Sequence, residues 1–204
     1  MKTWKKTISI FLFLICLMIL FAFSTPEKEN NATALLLIDI QNFYFPGGRS
    51  PLENPEKASL NSRKILESFR ERRGTLVVHI RHKAKSGAEI HKNVAPINGE
   101  KIISKAHVNG FKDTDLLEYL RSHKINRLVI CGMMTHMCVE AATRAAHDFG
   151  FDCILIGDAC ATRDLKYGSR VIKAVDVHDS TLSSLNGYYA KVMTTKEYLN
   201  SLKK

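Results

Sequence analysis

Short apolar runs alternate along this chain with segments of helical spacing, and this alternation constrains the fold more than any other feature. The first run, residues 34–40, is apolar apart from Asp39. Runs of this kind predict six strands, at 34–40, 75–80, 101–105, 127–131, 152–156 and 191–193. Helical patterns follow most of them, at 54–73, 114–123, 135–149, 170–185 and 195–202. Strands that are apolar on both faces indicate a parallel sheet that helices cover on both sides.

Three polar, reactive residues follow strands of this predicted sheet. Asp39 lies at the end of the first strand, Lys105 at the end of the third and Cys138 just after the fourth. Parallel sheets of this kind bind ligands at the carboxyl ends of their strands. We therefore expect the three side chains to meet at one edge of the sheet and to carry chemistry there.

Cys138 is the candidate nucleophile, because it falls in the first turn of a predicted helix. The positive end of the helix macrodipole predicts a lowered thiol pKa at this position. The first backbone N–H groups of a helix have no intrahelical partner and can donate to a developing oxyanion. The alternative is a buried, inert cysteine, which is the common fate of a free thiol.

Asp39 and Lys105 are the candidate partners of that nucleophile. A carboxylate at the end of an apolar strand costs free energy unless it is paired, and Asp39 could accept the thiol proton as a general base. Lys105 could pair with Asp39 and stabilise an anionic transition state. Each residue also has a plainer interpretation, with Asp39 as the cap of a neighbouring loop and Lys105 as a solvated lysine.

Three blocks of the sequence together resemble a known family. They are residues 35–43 (LLLIDIQNF), 105–111 (KAHVNGF) and 132–146 (GMMTHMCVEAATRAA). Residues 157–161 (GDACA) also resemble the segment that follows the family's next strand. The blocks are similar to those of the isochorismatase-like cysteine hydrolases, and the resemblance covers nearly all of the chain after the first 33 residues.

The resemblance implies a doubly wound α/β fold, a three-layer sandwich around a six-stranded parallel sheet. It implies that Asp39, Lys105 and Cys138 form a catalytic triad. It also implies a cis peptide bond between Met133 and Met134, which would aim the N–H groups of Met134 and Cys138 into an oxyanion hole. The implied reaction is hydrolysis of a small amide or related C–N bond through a thioester on Cys138. Relatives that cleave the vinyl ether of isochorismate lack the cysteine, so covalent hydrolysis is the better match.

Side chains close to the triad in sequence are candidates for binding the substrate. Gln41 and Phe43 follow the candidate base, and Asn109 and Phe111 follow the lysine. These neighbours could shape the substrate pocket. The alternative for the two phenylalanines is a place in the core.

Nicotinamidases of this family hold zinc through an Asp-x-His pair and further histidines after the second strand. This chain has His79, His82 and His91 in that region, but it has no aspartate between Asp39 and Asp113. We therefore expect no metal and no other cofactor, and nicotinamidase activity is disfavoured. The three histidines are expected to be surface or core residues.

The first 24 residues differ from the rest of the chain. A lysine-rich start precedes an almost wholly apolar run at 8–23, which predicts a cleaved signal peptide or, as the alternative, a membrane anchor. Residues 25–33 then form a polar linker to a hydrolase domain at 34–204. The expected location is therefore periplasmic or secreted, or at a membrane through residues 8–23.

The formal net charge of +10 is spread along the chain. A basic surface attracts nucleic acid or anionic lipid, but no aromatic residues interleave with these charges as they do in single-strand binders. We expect a small-molecule substrate, no nucleic acid and a homo-oligomer, the last as is common in the family.

Two other functions stay open. One is a different hydrolysis on the same fold, of a vinyl ether or ureido substrate, and the other is a non-catalytic binding module at the membrane.

Overall fold

A parallel sheet forms the centre of the protein. The computed structural model describes residues 32–203. Its strands are β1 (Thr33–Ile38), β2 (Leu76–His82), β3 (Lys101–Lys105), β4 (Arg127–Met133), β5 (Asp152–Ala161), β6 (Leu165–Tyr167), β7 (Arg170–Ile172) and β8 (Lys191–Met193). All except β6 and β7 join one six-stranded sheet in the order β3-β2-β1-β4-β5-β8, and every pair in it is parallel. The parallel sheet that the apolar runs predict is therefore confirmed.

Helices cover both faces of this sheet. In the described range they are α1 (Pro55–Arg70), α2 (Leu116–Ser122), α3 (Glu140–Asp148), α4 (Ala174–Leu185) and α5 (Thr195–Ser201). α1 packs against α5, and α3 packs against α4. The chain moves across the sheet in opposite directions from β1 to β2 and from β4 to β5, so right-handed crossovers place the two helix pairs on opposite faces. This is the doubly wound three-layer sandwich that the resemblance implies.

Coverage on both faces explains why β1 is an unbroken apolar run. Leu35 and Leu36 point to opposite faces of the sheet, and both are completely buried. Full burial of such a side chain contributes about 1.5–3 kcal/mol. A polar residue at either position would lose that contribution and leave its own hydrogen bonds unmade.

The strand order reverses between β1 and β4, and this reversal opens the crevice in which doubly wound proteins bind ligands. Gly132 lies in β4 opposite Ile38 at the carboxyl ends of the two strands. Its φ is 142°, and a Cβ atom built on it would lie 2.0 Å from the carbonyl oxygen of Ile38. Any other residue would force the two strands apart, so the close approach at the reversal requires glycine.

The predicted helix at 170–185 is wrong over its first turn. Its first residues form β7, which pairs with β6 as an antiparallel hairpin, and α4 begins only at Ala174. Gly168 adopts a φ of 61° at the turn, and the β-branched Val171 and Ile172 favour a strand. Local turn geometry therefore prevailed over helical spacing.

The structure also changes the bounds that were predicted for the helix at 135–149 and for the two strands beside it. The segment Thr135–Val139 is a turn of π-helix, and the regular α3 follows it. β4 and β5 continue beyond their predicted ends, because their pairing resumes between Gly132 and Cys160 after a shift in register. The longer strands extend the sheet at the edge where the reactive residues lie.

The signal peptide or membrane anchor predicted for residues 1–24 lies outside the described residues, as does most of the linker predicted at 25–33. Within the described range, β1 already begins at Thr33, so the folded part starts slightly earlier than predicted. No helix between residues 32 and 203 is both long and apolar enough to cross a bilayer.

Candidate active site

Asp39 stands at the carboxyl end of β1, and its side chain is completely buried. Its φ of 50° is left-handed, a conformation that is uncommon outside glycine and that recurs at functional sites. Its Oδ2 atom lies 2.6 Å from Nζ of Lys105 as an ion pair, but neither carboxylate oxygen receives a well-aligned hydrogen bond from the described part of the chain. Burial raises the pKa of Asp39, although the neighbouring Lys105 and Cys138 oppose this effect. A carboxylate with a raised pKa is a stronger base.

Lys105 reaches Asp39 across an intervening strand. β3 is two strands away from β1, which is about 10 Å, so the cation must come from a long side chain. Nζ of Lys105 donates to Sγ of Cys138 at 3.2 Å and to the carbonyl of His107 at 3.1 Å. It also lies 3.3 Å from Nδ1 of His82. One buried ammonium therefore contacts both the candidate base and the candidate nucleophile.

Cys138 lies in the π-turn that follows β4, and only 5% of its surface is exposed. Burial raises the pKa of Cys138 to about 12; the charge of Asp39 also raises it, while Lys105 lowers it. The expectation of a lowered thiol pKa is therefore wrong, because burial, which is the largest effect, and the adjacent carboxylate both raise the pKa. The resting site holds a protonated thiol next to a carboxylate.

The peptide bond between Met133 and Met134 is cis, as the resemblance implies. Both methionines are buried between the end of β4 and the π-turn. The carbonyl of Met134 accepts the N–H groups of Met137 and Val139 but not that of Cys138. The N–H of Cys138 is therefore not engaged by this carbonyl.

Gln41 acts as a clamp on the loop after β2. Its side chain is buried, and its Nε2 donates to the carbonyls of His82 at 3.0 Å and of Ala88 at 2.6 Å. Its Oε1 accepts the N–H of His82 at 2.8 Å. Both amide hydrogens are thus already used, so the structure gives Gln41 a positioning role in place of the expected contact with substrate.

Within residues 32–203, Asn109 and Phe111 make no hydrogen bond or ring contact with the other predicted site residues. Oδ1 of Asn109 accepts the N–H of Phe111 at 2.9 Å, which orders the turn after β3. The ring of Phe111 packs 5.3 Å from that of Phe149 and 6.4 Å from that of Phe151. These two residues lie between the end of α3 and the start of β5, at the opposite edge of the sheet from Cys138. Phe111 is therefore a core residue, which corrects the expectation that it lines the substrate site.

The three histidines predicted to lie in or after the second strand have three different sets of contacts. His79 is buried, with Nε2 2.9 Å from Oε2 of Glu100. His82 contacts Lys105, and His91 stacks on Phe45 with ring centroids 3.6 Å apart. Across residues 32–203, no group of three or more histidine, cysteine or acidic side chains is arranged to hold a metal ion.

The sequence arguments missed two residues of this site. Tyr44 is buried in the 3₁₀ turn Asn42–Tyr44; burial raises the pKa of its hydroxyl, and the nearby charges of Asp39 and Cys138 raise it further. Phe43, which was expected to bind substrate, packs edge-on against Tyr44 at 4.3 Å. His82 pairs in register with Lys105, so the alignment of β2 with β3 could have revealed it.

Fold and site together define a class of protein, a doubly wound α/β protein with a buried Asp–Lys–Cys cluster at its topological reversal. Comparison with known proteins gives the family. The Isochorismatase domain model matches residues 33–197, which is most of the chain. The chain therefore belongs to the isochorismatase family of hydrolases.

Individual relatives agree with this assignment. The isochorismatase family protein YddQ of Bacillus subtilis, itself uncharacterised, is 42% identical over 82% of this chain and 98% of its own length. A solved isochorismatase-type structure from Oleispira antarctica superimposes with a TM-score of 0.81 at 42% identity, covering 84% of this chain and 97% of that one. Maleamate amidohydrolase of Pseudomonas putida is 26% identical over 83% of this chain and 86% of its own.

Proposed function

We propose that the protein hydrolyses a small amide or related C–N bond, with Cys138 as nucleophile, Asp39 as general base and Lys105 as their electrostatic partner. The observation that carries the proposal is the position of the Lys105 ammonium. It lies 2.6 Å from the carboxylate of Asp39 and 3.2 Å from the sulfur of Cys138. A base and a nucleophile joined in this way match the arrangement in which a neighbouring base activates the nucleophile during the reaction.

The first step is transfer of the thiol proton to Asp39. With a pKa of about 12, Cys138 does not ionise into bulk water at neutral pH. The raised pKa of Asp39 narrows the difference between proton donor and acceptor, so an internal transfer is easier than ionisation. Once formed, the thiolate faces the ammonium of Lys105, which stabilises it.

The second step is attack of Sγ on the amide carbonyl, which places negative charge on the carbonyl oxygen. The N–H groups of Met134 and Cys138 are the proposed donors to this oxyanion. They stand where a strand gives way to a helix, and the first N–H groups of a helix point along its axis with no partner in the helix. Preorganised donors of this kind favour the transition state over the bound amide.

The remaining steps conserve every proton. As the C–N bond breaks, Asp39 returns the thiol proton to the leaving nitrogen, and the acyl group stays on Sγ as a thioester. A water molecule then gives one proton to Asp39 and its hydroxyl to the acyl carbon. The C–S bond breaks, the acid leaves, and the proton on Asp39 returns to Cys138.

An amide or related C–N bond suits this site better than a vinyl ether. A vinyl ether offers Cys138 no carbonyl carbon to attack, so that reaction would leave the nucleophile without a role. Maleamate amidohydrolase, which the chain resembles over most of its length, is named for an amide. The burial of Asp39 and Lys105 also favours a small acyl group, because little of the cluster is accessible.

The test is turnover of a panel of small primary amides by the full chain and by Cys138→Ala, measured as ammonia release. Loss of the nucleophile should lower kcat by about 10³-fold or more. Cys153→Ala is the matched control, because Cys153 is equally buried but lies at the amino end of β5. It should keep its activity.

Mass spectrometry of the quenched reaction should show an acyl adduct on the peptide that carries Cys138. Turnover by Cys138→Ala at the wild-type rate would contradict the proposal. If the wild-type protein hydrolyses no amide in the panel, the non-catalytic binding module becomes the better interpretation.

A further inference from the structure

Thr135 begins the π-turn that carries Cys138, and its side chain is completely buried. It directly follows Met134, whose N–H group is a proposed donor to the oxyanion. Its hydroxyl lies 2.9 Å from Nδ1 of His178, a residue 43 positions further along the chain. Turns of π-helix are rare in proteins and often occur at functional sites. The bond between Thr135 and His178 therefore holds an unusual turn at the residue next to a donor of the oxyanion hole.

The protonation state of His178 sets the direction of this hydrogen bond. Burial lowers the pKa of His178, whereas the charge of Asp179 and a hydrogen bond with the backbone of Gly157 act to raise it. The ring is therefore neutral at pH 7. A hydrogen bond raises the pKa of a histidine when the ring donates, so the carbonyl of Gly157 accepts from one ring nitrogen. A neutral imidazole has one donor and one acceptor nitrogen, which leaves Nδ1 to accept the hydroxyl of Thr135.

His178 is held in place by the packing of α4 on the sheet. Gly157 belongs to β5, and a Cβ atom built on it would lie 2.8 Å from a methyl carbon of Leu182 in α4. Helix and strand are thus in close contact at the point where the imidazole meets the strand. α4 also packs against the π-turn. The ring therefore ties the first residue of the turn to β5, which is part of the rigid sheet.

A cavity of about 330 Å³ borders His178. It lies between the first turns of α1 and α4, and Ala58 and Val175 contribute to its walls. The side chain of His178 is only half buried. A shorter or more flexible polar side chain at this position neither crowds the core nor buries a charge, which are the usual causes of severe destabilisation. Variants of His178 should therefore fold, and their activity reports on the hydrogen bond.

We propose that His178 is a positioning residue for the oxyanion hole: by accepting the hydroxyl of Thr135, it fixes the N–H of Met134 where the carbonyl oxygen of the substrate becomes negative. This inference rests on the proposed function for the chemistry at Cys138. Within residues 32–203, His178 makes no direct hydrogen bond to the buried Asp–Lys–Cys cluster, so it acts through the turn.

Positioning of this kind affects the transition state more than the bound substrate. An oxyanion donor is effective because it is already aimed at the place where charge develops. A displacement of about 1 Å can lower a rate by about 10²-fold. Loss of the bond between Thr135 and His178 should therefore lower kcat and leave KM nearly unchanged.

The oxyanion hole can be tested without turnover by binding butyraldehyde to the full chain. The thiol of Cys138 adds across the aldehyde C=O bond, so that Sγ bonds to carbon and the thiol proton goes to oxygen. The oxygen of this thiohemiacetal occupies the place of the oxyanion. The dissociation constant is measured at pH 7.5 as protection of Cys138 from alkylation by iodoacetamide, which is followed by the mass of the peptide that carries it. Each variant is compared with its own alkylation rate without aldehyde.

Substitutions of Thr135 test the donor of the bond. Thr135→Val keeps the shape but removes the hydroxyl, and it should weaken butyraldehyde binding about tenfold. Thr135→Ser keeps the hydroxyl and should keep most of the affinity. Thr181→Val is the matched control, because it removes a buried hydroxyl of α4 that donates to the carbonyl of Val177 within the helix. It should bind the aldehyde as the wild type does.

Two amide variants of His178 test the acceptor. The oxygen of asparagine is as many bonds from the backbone as Nδ1, so His178→Asn can still accept from Thr135 although it gives up the bond to Gly157. The amide group of glutamine lies further out, near the place of Nε2, so His178→Gln loses the bond to Thr135. His178→Asn should therefore keep most of the aldehyde affinity, and His178→Gln should lose about tenfold.

Two results would overturn the proposal. One is unchanged aldehyde affinity in both Thr135→Val and His178→Gln. The other is an equal loss in His178→Asn and His178→Gln, which would assign the effect to packing of the imidazole and not to its bond with Thr135.

Steady-state kinetics with an amide that the wild type hydrolyses complete the test. Thr135→Val and His178→Gln should lower kcat about tenfold with little change in KM. Failures of the two proposals remain distinguishable. If the aldehyde affinity falls as expected but no amide is hydrolysed by the wild type, the positioning role stands and the proposed function fails. If amides are hydrolysed and kcat is unchanged in both variants, the function stands and the positioning role fails.

Discussion

The two ends of the β2–β3 strand pair each hold a histidine and a charged cluster, but the clusters are built in opposite ways. At the amino end, Glu100 accepts two hydrogen bonds from Arg70, one from the N–H of Ile97 and one from His79. At the carboxyl end, Asp39 has an ion pair with Lys105 but no well-aligned hydrogen bond from the described residues.

The pKa values of the two carboxyl groups shift in opposite directions. Burial acts to raise the pKa of both, but the hydrogen bonds at Glu100 overcome it and lower that pKa to about 2. At Asp39 burial prevails, and the pKa is raised. A carboxylate satisfied by several donors is a structural anchor, whereas a buried and poorly satisfied one is ready to accept a proton.

The largest expected effect comes from a substitution in the cluster at the carboxyl end. Lys105→Met leaves Asp39 buried without its cation, which should cost about 3–5 kcal/mol of unfolding free energy. It should also abolish measurable turnover, because the thiolate loses its counter-charge. Urea unfolding and steady-state kinetics measure the two effects.

The double variant Asp39→Asn with Lys105→Met is the matched control for that experiment. Removing both charges should recover most of the lost stability but none of the turnover. Full stability in the single Lys105→Met variant would show that the buried ion pair is weaker than the geometry indicates.

A smaller effect, on stability alone, is expected at the amino end. Glu100→Gln should cost about 2–3 kcal/mol of unfolding free energy at neutral pH and leave kcat unchanged. The folded-state pKa is depressed, so this stability is present above the unfolded value near 4.5 and is lost as the pH falls towards 2. The difference between wild type and variant should therefore shrink as the protein is acidified.

Glu67→Gln is the control for Glu100→Gln, because it breaks the exposed pair with Arg63. Exposed pairs of this kind contribute about 0–1 kcal/mol, so its effect should be near the limit of detection. Loss of activity in Glu100→Gln would contradict the purely structural role of the cluster at the amino end.

The smallest expected effect concerns the histidine at the carboxyl end. Burial and Lys105 lower the pKa of His82, so the ring is neutral at pH 7 and can accept from the ammonium. Below that pKa the ring is a cation that faces Lys105, and turnover should fall. The other charged groups acting on it are Asp39, Arg49 and His107.

His82→Asn should therefore lower kcat/KM a few-fold at pH 7.5 and make the acid limb of the pH profile less steep, since only Asp39 would still titrate there. His79→Asn is the control, because His79 contacts Glu100 and not the cluster of Asp39, Lys105 and Cys138. It should reduce stability and leave the slope of the acid limb unchanged. If the acid limb of the pH profile is identical in His82→Asn and wild type, the protonation of His82 does not influence turnover.

Much of the site could be predicted from the sequence because strand ends in a parallel sheet converge at one edge. Asp39, Lys105 and Cys138 were assigned from their positions after apolar runs, and the structure brings them within contact distance. The supporting residues were harder to assign, because their roles depend on partners distant in the sequence. Gln41 clamps a backbone segment 41 residues away, and Phe111 packs at the far edge of the sheet.

The sequence by itself determined the six strands of the main sheet, their parallel arrangement and the positions of Asp39, Lys105 and Cys138 after strand ends, while the grouping of these three residues as a triad came from the family resemblance. These follow from local patterns of apolar and polar residues, and such patterns persist whatever surrounds them. The tertiary structure alone decided the ionisation of the site. A helix end favours a thiolate at Cys138, but the same cysteine is buried beside Asp39, and burial first and the charge of Asp39 second raise its pKa. Desolvation depends on everything packed around a group, so only the folded protein determines it.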